Sequence, residues 1–195
     1  IIIGIAYTIK NKDIKLDLLN KTFLFLFINT AVLVIMEFIL YITFLNEHVN
    51  DLGVTILIKA YIYIGFLWNF LTIVYILLLI KKENNIIDSK SAKKISIGFL
   101  VLAIIALIVV IIFKIDYTYH NGYHTLSGIL NTIYNRTAIV SNALLLLLII
   151  VNNNKLPKTF TILAFLIFGV YILNFFAESY FGYDVSDSVF IYSIL

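Results

Sequence analysis

The sequence contains no cysteine, one proline and few charged side chains. The absence of cysteine excludes disulfide bonds and thiolate metal sites. Charged residues make up 13% of the chain, which is too few to give a polar face to the helices of a soluble domain. The single proline, Pro157, lies in a polar segment, so no hydrophobic run is interrupted by a helix breaker.

Hydrophobic residues make up 62% of the chain and are arranged in long runs. About 20 consecutive apolar residues form a helix that crosses a hydrocarbon core roughly 30 Å thick. Continuous runs such as residues 104–112 lack the alternation of outer-membrane strands. The sequence therefore predicts an all-α integral membrane helical bundle with seven transmembrane helices, at residues 1–9, 22–45, 54–80, 95–113, 129–151, 159–176 and 188–195.

The first and last of these runs are short, the chain begins without Met, and it ends inside an apolar run. We therefore expect the first and last helices to be truncated. On this interpretation residues 1–195 are a single transmembrane domain and a fragment of a longer chain.

The positive charges of the loops are sorted by loop parity. Of twelve loop lysines, eleven lie in residues 10–21, 81–94 and 152–158, and only Lys114 lies in the loops between. Short loops rich in Lys and Arg stay on the cytoplasmic side during insertion. The sequence thus predicts that the N-terminus is outside, that the end of the seventh helix is inside, and that the protein resides in the bacterial cytoplasmic membrane.

Three ionisable residues lie inside the predicted spans: Glu37, Lys59 and Arg136. At 1.5 Å per residue all three sit roughly 10–12 Å below the outer surface. An unpaired charge near the bilayer centre costs about 2.5–3.5 kcal/mol on insertion scales. One hypothesis is that the three line an outward-facing ligand pocket with Asn131 and Asn135. The alternative is that Lys59 and Arg136 extend to the interface while Glu37 is protonated or hydrogen-bonded in the bundle.

Asparagines add further polar groups to the spans. Asn29 and Glu37 are eight positions apart and share a helix face. Interhelical hydrogen bonding is the plainer interpretation of these amides. A proton or ion relay is the alternative, although a relay needs several carboxylates and the spans contain only Glu37.

No catalytic, metal-binding or cofactor-binding motif is present. The sequence lacks the zinc-protease, nucleophile-elbow and phosphate-loop patterns. His120 and His124 are four residues apart, but Asn121 and Gly122 between them favour a turn over a helix. We therefore predict no catalytic residue, no metal, no cofactor and no nucleic-acid partner for this segment.

Several short patterns resemble the membrane-embedded input regions of signalling proteins from Firmicutes. They are a linker reading Leu18-Leu19-Asn20-Lys21-Thr22-Phe23, a second span with Asn29 and Glu37, a third with Trp68 and Tyr75, and Lys155-Leu156-Pro157-Lys158 before a later span. In those proteins a multi-span N-terminal region precedes a cytoplasmic histidine kinase or, in similar proteins, a diguanylate cyclase. The resemblance implies the same kind of output domain here.

These observations predict a membrane-embedded sensory input domain that passes a stimulus to a cytoplasmic output domain. Its expected partners are the lipid bilayer, a small-molecule or peptide ligand, and a second copy of the parent protein in a homodimer. The alternative is a small multi-span permease or carrier subunit, in which the same polar residues define a translocation path. A membrane-embedded enzyme is disfavoured because paired acids or histidines are missing from the cytoplasmic helix ends.

Overall fold

The computed structural model describes residues 18–44, 51–83, 89–120 and 123–158 and residues 161, 162, 165, 166 and 169. For residues 44, 51, 82–83, 89–93, 117–120 and 123–125 it describes the backbone only. Within these ranges lie four long helices, α1 (Leu18–Phe44), α2 (Asp51–Glu83), α3 (Ser89–Ile112) and α4 (Gly128–Val151). All four are long and apolar enough to cross a membrane.

The α-helical prediction is confirmed for the described residues, and the helices coincide with the runs predicted at 22–45, 54–80, 95–113 and 129–151. The predicted spans 1–9 and 188–195 lie outside the described residues. Of the span 159–176, the described residues 161, 162, 165, 166 and 169 are helical. The number of seven spans, the orientation and the truncated ends remain predictions.

The segment between α3 and α4 forms a β-hairpin, which the sequence analysis treated as a loop. Strands β1 (Asp116–His120) and β2 (Tyr123–Ser127) pair antiparallel, with Asp116 opposite Ser127 and His120 opposite Tyr123. Tyrosine and threonine favour strands, and an Asn-Gly pair between two strands is the strongest short hairpin signal. The Asn121–Gly122 connection itself lies outside the described residues.

Helix α2 lies at the centre of the described bundle and packs against α1, α3 and α4. Its side chains Ile58, Ile62 and Leu78 are fully buried. A helix surrounded by other helices must be apolar on every side, and the composition of α2 meets that requirement. The outer helices differ from it because each buries only one face. On α3, for example, Leu100, Ile105 and eight further large apolar side chains are exposed.

The contacts define the helix directions. Phe23 of α1 stacks near Tyr75 of α2, with ring centroids 5.7 Å apart, and Thr30 meets Trp68 farther along, so α1 and α2 are antiparallel. Helix α4 runs parallel to α2: Tyr134 contacts Gly65, and one buried cluster joins Ile76 and Ile80 to Leu145 and Ile149.

Helix α3 runs antiparallel to α2, because Lys59 near the start of α2 contacts Ile111 at the end of α3. The two ends of the described bundle therefore differ in charge. One end carries the exposed lysines Lys21, Lys94, Lys155 and Lys158, and we call it the basic end. The hairpin lies at the other end, which we call the hairpin end.

After α4 the chain turns at the basic end. A short 3-10 turn at Asn153–Lys155 is followed by Leu156, which is buried in the cluster that contains Ile76 and Ile149. The Thr161 amide then donates to the Pro157 carbonyl at 3.0 Å, which begins a helix. Proline suits this place, because the first helical position does not need a backbone N–H.

Glycine at position 65 is required by the α2–α4 contact. A Cβ built there would lie 2.5 Å from Oη and 2.7 Å from Cε2 of Tyr134. Gly98 of α3 is a matched helical glycine whose added Cβ would meet nothing within 4 Å. The same substitution therefore has opposite consequences at the two positions.

We expect Gly65→Ala to destabilise the protein by about 1–3 kcal/mol, because Tyr134 must move from a packed site. Gly98→Ala should leave stability unchanged or raise it by about 0.5–1 kcal/mol, since alanine is the better helix former. The measurement is denaturant unfolding in detergent micelles, followed by circular dichroism. Equal effects of the two substitutions would contradict the close contact at Gly65.

Candidate functional site

Glu37 lies on α1 with its side chain half-buried and its Oε2 atom buried. The α1–α2 contacts place it opposite a particular part of α2. Thr30 of α1 contacts Trp68 of α2. Because the two helices are antiparallel, seven residues forward along α1 and seven residues back along α2 reach Glu37 and Tyr61. Tyr61 interacts electrostatically with Glu37, as this register requires.

Tyr134 of α4 completes this group. Its ring fits against Gly65 and makes an edge contact with Phe66, with centroids 5.4 Å apart and ring planes at 90°. Tyr61 lies one helical turn before Gly65, on the same face of α2, and interacts electrostatically with Tyr134 as well. Side chains of α1, α2 and α4 therefore meet at one level, and we call Glu37, Tyr61 and Tyr134 the three-helix site.

Polar contacts fix α1 to α2 next to this site. The Asn29 amide donates to the Ile64 carbonyl at 3.1 Å, and the Trp68 indole N–H donates to the Thr30 hydroxyl at 2.9 Å. The Thr30 hydroxyl in turn donates to the Leu26 carbonyl at 2.8 Å. The expected interhelical hydrogen bonding is thus confirmed for Asn29.

Asn69 lies one turn beyond Gly65, and only 3% of its surface is exposed. Its amide donates to the Gly65 carbonyl at 3.1 Å, whereas its Oδ1 atom is buried with no hydrogen-bond partner among the described residues. A buried amide oxygen without a partner costs about 1–3 kcal/mol. This region of α2 therefore has an uncompensated polar atom close to the packed tyrosine.

Lys59 reaches away from the three-helix site, toward α3. Its ammonium donates to the Ile111 carbonyl at 3.2 Å, in the last turn of α3. The final carbonyls of a helix have no intrahelical donor and carry the negative end of the helix dipole. Lys59 thus caps the end of α3 and joins it to α2.

The predicted site residues on α4 have different surroundings from Glu37. The Asn131 amide donates to the Leu126 carbonyl at 3.0 Å and fastens α4 to the hairpin. Asn135 and Arg136 are exposed on the outer face of the helix. The structure therefore brings Glu37 to Tyr61 and Tyr134, while Lys59, Arg136, Asn131 and Asn135 occupy other surroundings. A ligand pocket shared by these five residues remains a prediction.

The hairpin is joined tightly to the start of α4. The Leu130 amide donates to the Lys114 carbonyl at 3.4 Å, and the Ser127 hydroxyl donates to the Asp116 carbonyl at 3.3 Å. Gly128 has φ +92°, and a Cβ there would lie 2.9 Å from Oδ2 of Asp116. Only glycine adopts this conformation without strain. The side chains of His120 and His124 lie outside the description.

Sequence reasoning identified Glu37 but missed both tyrosines of the three-helix site. A tyrosine in an apolar run is indistinguishable by composition from a packing residue, and the thirteen tyrosines of this chain dilute the signal further. The spacing of Tyr61 and Gly65 was the one indication in the sequence. The two residues are four positions apart, so the tyrosine and the space left by the glycine lie on one face of the helix.

Comparison with known proteins adds no relative from which a function can be transferred: no protein-family model, no curated protein and no solved structure matches the chain.

The hydrogen bond between Trp68 and Thr30 should contribute measurably to the α1–α2 contact. We expect Trp68→Phe and Thr30→Val to show a coupling of about 0.6 kcal/mol, and at most about 1.7 kcal/mol, because interhelical hydrogen bonds in membranes are of this size. A double-mutant cycle of unfolding in micelles measures it. The matched control cycle combines Trp68→Phe with Thr43→Val. The Thr43 hydroxyl donates to the Ile39 carbonyl of its own helix. Equal coupling in the two cycles would contradict the assignment.

Proposed function

We propose that this chain is the membrane-embedded sensory input domain of a bacterial signalling protein. It has seven spans in the cytoplasmic membrane, with the hairpin end outside and the basic end inside. A stimulus received in the outer half changes how the helices pack, and the last helix transmits that change to a cytoplasmic output domain, for which a histidine kinase is our first choice.

The observation that supports a receptor over a carrier is the continuity of the helices. The four described helices contain 27, 33, 24 and 24 residues without an internal break. Carriers commonly bind their substrate where paired helices are unwound at the bilayer midplane. The described helices offer no such unwound site.

The arrangement of polar groups supports the same proposal. Besides hydrogen bonds within single helices, the described bundle has polar contacts that join different elements: α1 to α2 through Asn29 and Trp68, α2 to α3 through Lys59, and α4 to the hairpin through Asn131. Contacts of this kind are suited to transmitting a displacement. Because the three-helix site connects α1, α2 and α4, we place the coupling there.

The mechanism is a population shift between two helix arrangements. A ligand must bind one arrangement better than the other, because equal affinity for both shifts nothing. Coupling energies of about 1–3 kcal/mol, or 5- to 150-fold in apparent affinity, are typical of such systems. A homodimer of the parent protein would place two such bundles side by side, in contact with the lipid bilayer and with a small-molecule or peptide ligand.

Two experiments separate a receptor from a carrier. The coding sequence after Leu195 should specify a linker helix and a catalytic signalling domain, whereas further spans would support the carrier. In the complete protein, Glu37→Gln should then change the stimulus concentration for half-maximal output by about fivefold or more.

Lys59→Ala and Arg136→Ala in the same assay test the wider pocket, and Lys114→Ala is the control because Lys114 is exposed beyond the end of α3. Output that is identical to wild type in Glu37→Gln, Lys59→Ala and Arg136→Ala under all inducing conditions would contradict the proposal.

A further inference from the structure

The three-helix site takes one acidic and two phenolic side chains from three different helices. Glu37 is the only carboxylate inside the four described segments that could cross a membrane, Leu18–Thr43, Leu52–Lys81, Lys94–Ile112 and Gly128–Val151, and its Oε2 atom is buried. Burying a carboxylate away from water is expensive unless polar groups compensate it. The register places Tyr61 opposite Glu37, and Tyr61 interacts electrostatically with both Glu37 and Tyr134.

The packing around the Tyr134 hydroxyl is close. A methyl group added at Gly65 would lie 2.5 Å from the Tyr134 hydroxyl, well inside van der Waals contact. Phe66, which is buried, makes an edge contact with the same ring, and Ile62 is buried on the same helix. A small molecule would enter only if the helices separated, whereas a proton needs no volume.

We infer that Glu37, Tyr61 and Tyr134 form a proton-binding site whose occupancy sets the packing of α1 against α2 and α4. The role of the proton as a stimulus rests on the proposed function, whereas the existence of the proton-binding site does not rest on it. This assignment names the ligand of the site as H⁺ taken from or released to water at the hairpin end.

The chemical step is a simple exchange. When the Glu37 carboxylic acid loses its proton, the O–H bond breaks, the electron pair stays on the carboxylate and the proton passes to water. A carboxylic acid donates one hydrogen bond, whereas a carboxylate only accepts; a phenol hydroxyl does either. Proton loss therefore leaves Glu37 able only to accept hydrogen bonds, and it adds one negative charge between the helices.

The other charged and titratable groups near this level of the described helices are Tyr41, Lys59, Tyr63 and Arg136. On α1, Tyr41 is exposed one turn away. On α2, the Lys59 ammonium is engaged with the Ile111 carbonyl, and on α4, Arg136 is exposed. Residues 95–112 of α3 include no ionisable side chain, and Lys114 and Asp116 beyond its end are exposed.

The chain contains its own reporter of this change. Trp68 is the single tryptophan, and its indole N–H donates to Thr30 across the α1–α2 contact, two helical turns from Tyr61. A shift of α1 against α2 alters that hydrogen bond and with it the emission of the indole. Titrating Glu37 should therefore be visible at Trp68.

The test is a pH titration of the full chain in phosphatidylcholine vesicles, with equal pH on both sides and Trp68 emission recorded between about pH 4 and pH 9. We expect one transition in the wild type and none in Glu37→Gln, which keeps the size of the side chain. Tyr61→Phe and Tyr134→Phe should each move the midpoint by about half a pH unit or more, because each removes a polar hydroxyl from the three-helix site. Tyr41→Phe is the matched control and should leave the midpoint unchanged.

Three outcomes would each overturn the inference. The transition persists in Glu37→Gln, it is absent in the wild type, or its midpoint is the same in all three Tyr→Phe variants. Should circular dichroism show that Glu37→Gln has lost its helices, the Tyr→Phe midpoints decide alone. Replacing choline with sodium at constant pH provides a further check. If this exchange changes the emission of the wild type but not that of Glu37→Gln, the site binds a cation and the inference is overturned. A normal titration with unaltered output in the complete protein would overturn the proposed function and leave the site intact.

Discussion

A hydrocarbon solvent cannot hydrogen-bond, and this constraint determines the rest of the structure. Every polar side chain in a span must find a protein partner or reach the interface. The described bundle does both: Asn29 and Trp68 bond across α1 and α2, and Lys59 reaches the last turn of α3. Isoleucine and leucine side chains that a soluble protein would bury remain exposed on α1, α3 and α4, which fits helices that are long and apolar enough to cross a membrane.

The same constraint explains why α2 occupies the centre. It contributes donors or acceptors to contacts with α1 and α3, and a glycine gap to the contact with α4. Membrane helices associate through close packing and a few hydrogen bonds, because lipid tails are as apolar as the side chains. Small changes at these contacts therefore alter helix packing without unfolding any helix, which is the property that the proposed sensory function requires.

The helices could be predicted from sequence, since length and hydropathy depend only on local composition. The class of structure and four of the spans followed directly from runs such as residues 95–113. The hairpin was missed because five-residue strands give a weak signal, although the Asn121-Gly122 sequence between them favours a turn. Here the hydrophobic pattern of the flanking helices dominated the interpretation.

The site was harder to predict because it depends on how helices meet. Glu37 stood out as an acid in an apolar run, but the level of a residue in the membrane does not determine its neighbours. Lys59 lies at the same predicted depth as Glu37, yet it extends to Ile111. Tyr134 reaches α2 only because Gly65 leaves a gap there. The depth of a residue in the membrane depends on its position along one helix, whereas a contact between two side chains depends on the rotation of both helices about their axes.

Accessibility to a membrane-impermeant maleimide tests most directly whether lipid is the solvent of this bundle. The chain has no cysteine, so single cysteines can be introduced at Lys114, Ile105 and Lys155, all of which are exposed in the structure. On intact cells we expect labelling at position 114 alone, labelling at 155 only after permeabilisation, and none at 105 in either state. Labelling at position 105 as fast as at position 114 would contradict a membrane-spanning α3, and labelling at 155 on intact cells would contradict the orientation.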